Sequence, residues 1–168
     1  PQVLDDLEAF VTSSLGKGVV RAKDTPNFIA NRIGIANILA TAKLTEKFGL
    51  GWDVVDDLTG KKLGRASSGT FRTADLVGLD TLNHVIKTLQ DNLDEKRDPF
   101  YPNYSTPPAL AKLLEMGNLG LKTGAGFYKK IGKDIQNFDA ATGSYVAGGK
   151  KASDVVSRML KKKGLERL

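Results

Sequence analysis

Apolar residues at spacings of three and four open the chain. Val3, Leu4, Leu7, Phe10, Val11 and Leu15 predict a helix over residues 2–15, and Gly16 supplies its stop. Lys17 to Ala22, centred on Val19 and Val20, reads as a short strand. A helix and a strand with a short joint are half of an α/β unit, yet no other parallel-sheet strand is evident along the chain. The strongest helix signal follows. Thr25 is suited to cap and Pro26 to the first helical position, where a missing N–H costs nothing. From Phe28 to Leu44 eleven of seventeen residues are apolar and lie all round the wheel, which predicts a helix wrapped by others. Asn27, Asn31 and Arg32 are odd residues for its start.

Beyond it, Trp52 to Leu58 predicts a short helix ending near Gly60, and residues 60–72 a loop rich in Gly, Ser and basic residues. Thr73 opens a helix with Leu76, Leu79, Leu82, Val85, Ile86, Leu89 and Leu93 on one stripe. Residues 94–105 are an irregular loop. Thr106 and Pro107 repeat the cap-then-proline start, and Leu110, Leu113 and Leu114 carry that helix to Gly117. After a glycine-rich turn over 117–126 the period changes to two. Phe127–Ile131 and Ile135–Phe138 flank Gly132-Lys133 as a hairpin with glycine at the first turn position. Asp139–Gly143 is a second turn before Tyr145-Val146, residues 147–151 are a linker, and Ser153 caps a basic helix running to Gly164. The fold class expected is mainly α with a small β-hairpin near 127–146.

Composition narrows the chemistry. With no cysteine, thiolate metal sites and cysteine nucleophiles are excluded, and the single histidine, His84, rules out a multi-histidine metal centre. Hydrophobic residues at 40% and charged residues at 26% fit neither a disordered chain nor a membrane protein. Of the net charge of +6, residues 147–168 hold seven basic groups against two acids, so the body is nearly neutral. A basic tail is a weaker sign of nucleic-acid binding than a basic face on a folded domain, and a solvated helix end accounts for it. Neither a signal peptide nor an apolar run of membrane-spanning length is visible, which makes the cytosol the expected compartment. The start at Pro1 suggests a fragment or a processed chain.

Phosphate-loop patterns fail: Lys129 occupies the third glycine position after Gly124-Ala125-Gly126, and Arg65 breaks the Walker spacing from Gly60. His84 reads as a structural helical histidine. Asp75 and Asp80 read as carboxylates near a positive helix end. Asn31 is harder to place. It sits in the second turn of the apolar helix, one turn after Asn27, where a buried amide must find partners. A carboxamide there is equally suited to orient a carbonyl or a catalytic side chain. The residues alone leave both open.

Three ordered segments carry a resemblance. Lys23-Asp24-Thr25-Pro26-Asn27-Phe28-Ile29-Ala30-Asn31-Arg32-Ile33 resembles the interdomain signature D-T-P-G-F-I-x-N-R of 3-hydroxyacyl-CoA dehydrogenases. Residues 70–81 are similar to that family's G-P-F-x-x-x-D-x-V-G-L-D-T segment, and residues 120–128 to its G-x-K-T-G-x-G-F-Y segment. Two departures are Asn27 where glycine is usual and the absence of the Gly-Pro pair before Phe71. The resemblance covers roughly residues 17–130. Residues 131–168 resemble the continuation in long, multidomain members, where a second helical copy follows.

The resemblance implies this organisation: a remnant of an NAD-binding Rossmann domain over 1–23, a helical C-terminal domain over 24–130, a hairpin and linker over 131–149, and a basic helix over 150–168. It implies oxidation of an (S)-3-hydroxyacyl-CoA with hydride transfer to NAD, as in fatty-acid β-oxidation. Asn31 matches the asparagine that positions substrate and the catalytic histidine, and Ser68, Gly69, Thr70 and Phe71 match a segment near the acyl-thioester pocket. The catalytic histidine and the dinucleotide loop would lie outside this chain, so the chain alone is expected to be inactive and to bind no NAD tightly. Expected partners are acyl-CoA, the Rossmann domain, a second helical copy and further copies of the chain, with no nucleic acid and no membrane. The rival readings are a helical self-assembly module and nucleic-acid binding through the basic tail.

Overall fold

A computed structural model describes residues 2–161. In chain order these form α1 (Gln2–Ser13), α2 (Ala30–Lys47), α3 (Trp52–Thr59), α4 (Phe71–Val77), α5 (Leu79–Asn92), α6 (Pro108–Glu115), three strands β1 (Tyr128–Ile131), β2 (Asp134–Asp139) and β3 (Ser144–Ala147), and α7 (Asp154–Lys161). The fold is thus mainly helical, with a three-stranded antiparallel sheet in the order β1-β2-β3. The hairpin turn falls where the sequence put it. Ile131 faces Asp134 across Gly132-Lys133, and Gly132 has φ +60°, a conformation favouring glycine.

Four expectations are corrected. Residues 17–22 form no strand, because no neighbouring strand pairs with them among the described residues. The second helix begins at Ala30, not 28. Asn27 and Phe28 hold φ +61° and +50°, outside helical space, and this leaves Pro26 in the preceding turn. The stripe from 73 to 93 is broken into α4 and α5 by Gly78, whose φ of +100° and ψ of +126° end one helix and start the next. In α6 it is Pro108 that takes the first helical position, with Pro107 before it at ψ 145°, while the Thr106 hydroxyl donates instead to Asn83 Oδ1 at 2.6 Å. Ser153 does precede α7, whose remaining expected length, residues 162–164, lies outside the described residues.

The core is assembled around α5. Leu79, Leu82, Ile86 and Leu89 are buried against Ile35 and Leu39 of α2 and Leu110 and Leu113 of α6. A second focus joins helices to sheet. The Trp52, Phe71 and Phe127 rings meet with centroids 4.7–5.0 Å apart, and Trp52 Nε1–H donates to the Phe138 carbonyl at 2.6 Å. Buried aromatic rings of this kind combine large apolar area with a satisfied polar edge.

The picture of α2 as a helix covered all round is also corrected. Only Ile35, Leu39, Ala42 and Thr45 are buried, whereas Ile33 is 65% and Leu44 51% exposed. Helix α1 buries no residue, and its apolar stripe of Val3, Leu4, Leu7 and Phe10 is exposed. Arg21 reaches back to it, pairing with Asp5 at 2.5 Å and with Glu8.

Candidate functional site

Two carboxylates, one half-buried and one buried, organise the segments carrying the sequence motifs. The first is Asp56 on α3. Its Oδ1 accepts the backbone N–H groups of Thr70 and Phe71, each at 2.7 Å. Its Oδ2 accepts that of Arg72 at 2.9 Å and the Tyr128 hydroxyl at 2.6 Å. Three orphan donors at the start of α4 are thereby satisfied by a side chain from another helix. Gly69 permits the approach: its φ is +68°, and a Cβ there would lie 2.7 Å from the Asp56 Cα. Glycine is therefore retained before Thr70, and only proline is missing from the family pair. The N–H that a proline would lack is one of those Asp56 uses. Burial pushes the Asp56 carboxyl up, against the pull of these donors, and burial beside Asp56 also raises the Tyr128 phenol.

The second is Asp75 on α4, 7% exposed. Its two oxygens accept the backbone N–H groups of Phe127 and Tyr128, each at 2.9 Å. The glycines of the 120–128 segment make room for it, since a Cβ on Gly126 would fall 2.1 Å from Asp75 Oδ1 and one on Gly120 2.4 Å from the Asp75 carbonyl oxygen. Burial pushes the Asp75 carboxyl up to about 6. Lys122 pairs with Asp80 at 2.6 Å, and Leu79 N–H donates to the Leu119 carbonyl, so residues 70–81 and 119–128 are laced together at three places. The helix-dipole reading suits Asp80, in the first turn of α5, but not Asp75, which lies in the body of α4.

Asn31 lies in the first turn of α2 and is exposed rather than buried. It lines a groove of about 230 Å³ whose walls are mostly apolar, among them Ile35 and Ile38 of α2, Val77 of α4 and Leu82 and Val85 of α5. The turn before it is set by Asn27, a residue type tolerated at positive φ, whose Nδ2 donates to the Val85 carbonyl at 3.3 Å. This accounts for asparagine at a position where the family pattern has glycine. Arg32 is explained as well: it pairs at 2.5 Å with Asp98, a buried acid in the 94–105 loop.

The candidate residues do not converge on one cavity. Asn31 lines the α2–α5 groove, whereas Ser68 lines a separate polar cavity of about 560 Å³ beside α3. Ser68 shares a hydroxyl hydrogen bond with Thr73 at 2.7 Å, Thr70 is buried with its hydroxyl on Thr59, and Phe71 belongs to the aromatic core. His84 is exposed on α5. Sequence reasoning missed Asp56 and Tyr128. An aspartate in the middle of a predicted helix carries no local sign of partners 14 to 72 residues away. The available signal was Gly69, whose positive φ and close approach to the Asp56 backbone mark a position where only glycine fits.

Comparison with known proteins gives the family of this fold. The family model for the C-terminal domain of 3-hydroxyacyl-CoA dehydrogenase matches residues 28–130. A probable 3-hydroxyacyl-CoA dehydrogenase of Bacillus subtilis is 43% identical over 98% of this chain and 20% of its own length. One from Deinococcus radiodurans is 45% identical over 77% of this chain and 36% of its own. Among solved structures, Mycobacterium tuberculosis FadB2 superposes with TM-score 0.61 at 32% identity, over 76% of this chain and 42% of that one. The (S)-3-hydroxybutyryl-CoA dehydrogenase PaaH1 of Ralstonia eutropha does so with TM-score 0.57 at 26% identity, over 73% and 40%. The chain thus spans between a fifth and about two fifths of these relatives. On the family match, and on motif segments joined through Asp75, this chain belongs to the 3-hydroxyacyl-CoA dehydrogenase family and carries its C-terminal helical domain.

Proposed function

We propose that this chain is the substrate-side helical part of an NAD-dependent (S)-3-hydroxyacyl-CoA dehydrogenase acting in fatty-acid oxidation. The observation that carries the reading is the position of Asn31: an exposed carboxamide at the mouth of a mostly apolar groove, presented by the first turn of α2. In this role the amide holds the substrate thioester carbonyl, or the imidazole of a catalytic histidine from elsewhere in the enzyme. Ser68, Gly69, Thr70 and Phe71 then form a substrate-side segment in which Ser68 faces a cavity and the others hold its shape. The described residues do not themselves fit a dinucleotide: their sheet is antiparallel, and the turn from β3 into α7, Gly148-Gly149-Lys150-Lys151-Ala152-Ser153, lacks the G-x-G-x-x-G spacing. No step is therefore assigned to NAD on this chain.

Asn31→Ala in the intact enzyme tests the proposal. Losing a donor that orients the reacting carbonyl costs about 2.7–4 kcal/mol of transition-state stabilisation, a hundredfold or more in kcat. An exposed amide contributes little to stability, so the melting temperature stays within experimental error. Near-normal turnover in the variant would return Asn31 to a structural role.

A second reading, self-association of the chain, is favoured by exposed apolar groups on the helices around this groove, with Ile33, Leu76 and Val77 each more than half exposed. It is compatible with the first.

A further inference from the structure

Gly34 has no local reason to be glycine. It lies in the second turn of α2, where glycine weakens a helix relative to alanine because it loses more backbone freedom on folding. Its backbone is helical, so no positive φ requires it. Packing does not require it either: apart from the helix's own backbone, a Cβ placed there meets nothing within 4 Å. The glycines that do answer to close approach, such as Gly69 and Gly126, stand within 3 Å of their neighbours by the same measure.

Its position on the helix supplies a different reason. Gly34 stands three residues after Asn31 and four before Ile38, so all three lie on one face of α2. All three line the groove of about 230 Å³ that separates α2 from α4 and α5. The far wall is apolar, with Val77 of α4 and Leu82 and Val85 of α5. Glycine thus leaves a gap in the α2 wall directly beyond the Asn31 carboxamide. From Asn31 to Ile38 the helix rises about 10 Å. An extended hydrocarbon tail advances about 1.3 Å per carbon at bond lengths of ~1.5 Å, so a run of this length takes about eight carbons.

We propose that Gly34 is a specificity-determining residue: its missing side chain leaves room along α2 for the acyl tail of the substrate, and the groove takes medium-length tails of about eight carbons. This rests on the reading of Asn31 as the residue that holds the thioester carbonyl, and it adds the direction and the length of the tail.

The test is kcat/KM of the intact enzyme for (S)-3-hydroxyacyl-CoA substrates of four, eight and twelve carbons, in wild type, Gly34→Ala, Gly34→Leu and Asn31→Ala. Each buried methylene is worth about fourfold in binding. A leucine side chain that displaces two of them is expected to lower the eight-to-four-carbon ratio about tenfold or more, and an alanine about twofold to fourfold. Gly34→Ala is expected at the same time to raise the melting temperature of the chain by about 1–4 °C, so its loss of selectivity cannot come from misfolding. Asn31→Ala is expected to lower turnover at every length and to leave the ratio near that of wild type. An eight-to-four-carbon ratio unchanged in both Gly34 variants, while Asn31→Ala loses turnover a hundredfold, would overturn this inference alone. Near-normal turnover of Asn31→Ala at every length would overturn the reading beneath it, and the inference with it. An unchanged ratio together with loss of self-association in Gly34→Leu, read by sedimentation velocity, would overturn it in favour of an interface between copies of the chain.

Discussion

Replacing Asp75 sets two physical effects against each other in one measurement. Two backbone N–H donors at 2.9 Å favour the ionised carboxylate, while burial disfavours it; burial prevails, raising the group from 3.8 to about 6. A pKa raised on folding means that the native state binds the proton more tightly than the unfolded chain. The associated stability is fully present below pH 3.8 and is lost as the pH rises through about 6. About two units at 1.36 kcal/mol each give a loss of about 3 kcal/mol across that window. Asp75→Asn removes the titration and leaves one of the two N–H groups facing an amide donor. At pH 7 the unpaired, buried donor costs about 1–3 kcal/mol. The stability advantage of wild type over Asp75→Asn is therefore expected to be smallest at pH 7 and to widen by about 3 kcal/mol as the pH falls to 4. Urea denaturation of both proteins at half-unit pH steps reads the difference directly, and subtraction cancels the other titrating groups. An advantage that is flat, or that grows as the pH rises, would refute the reasoning and show that the two hydrogen bonds outweigh burial.

Gly126→Ala forces a Cβ to within 2.1 Å of Asp75 Oδ1, so it is expected to destabilise by about 3 kcal/mol or more. Gly124→Ala, with open space around it and φ +76°, is expected to cost only about 1–2 kcal/mol; thermal melts compare them. With the apolar faces of α1 and α2 exposed, sedimentation velocity over a concentration series is expected to show association, and a single monomer species at every concentration would count against it. Calorimetric titration of the chain with NAD is expected to give no micromolar binding, since among the described residues the sheet and loops form no dinucleotide cradle.

Local patterns were legible where the physics is local. The stripes of α1, α3 and α5 follow from a 3.6-residue period, and the β1–β2 hairpin from alternation around a glycine that takes positive φ. The three motif segments were enough to indicate the family. The continuous stripe from Leu76 to Leu93 concealed the break at Gly78, because periodicity does not register one residue with φ +100°. Asn31 was legible as a candidate, but its exposure was not. Burial of one side of α2 depends on α5, and the opposite side has no covering element among the described residues.

The sequence by itself determined the helical class, the turn at Gly132, the absence of cysteine chemistry and the order of the motif segments. Tertiary structure alone decided what those segments are for. Asp56 and Asp75 bind N–H groups 14 to 53 residues away, so their role exists only once α3, α4 and the sheet have packed. The same holds for the placement of Ser68 and Asn31 in separate cavities, since a cavity is bounded by residues distant in sequence. Side-chain period and turn chemistry act over a few residues. Hydrogen bonding to a buried carboxylate is governed by three-dimensional proximity, which a linear pattern does not encode.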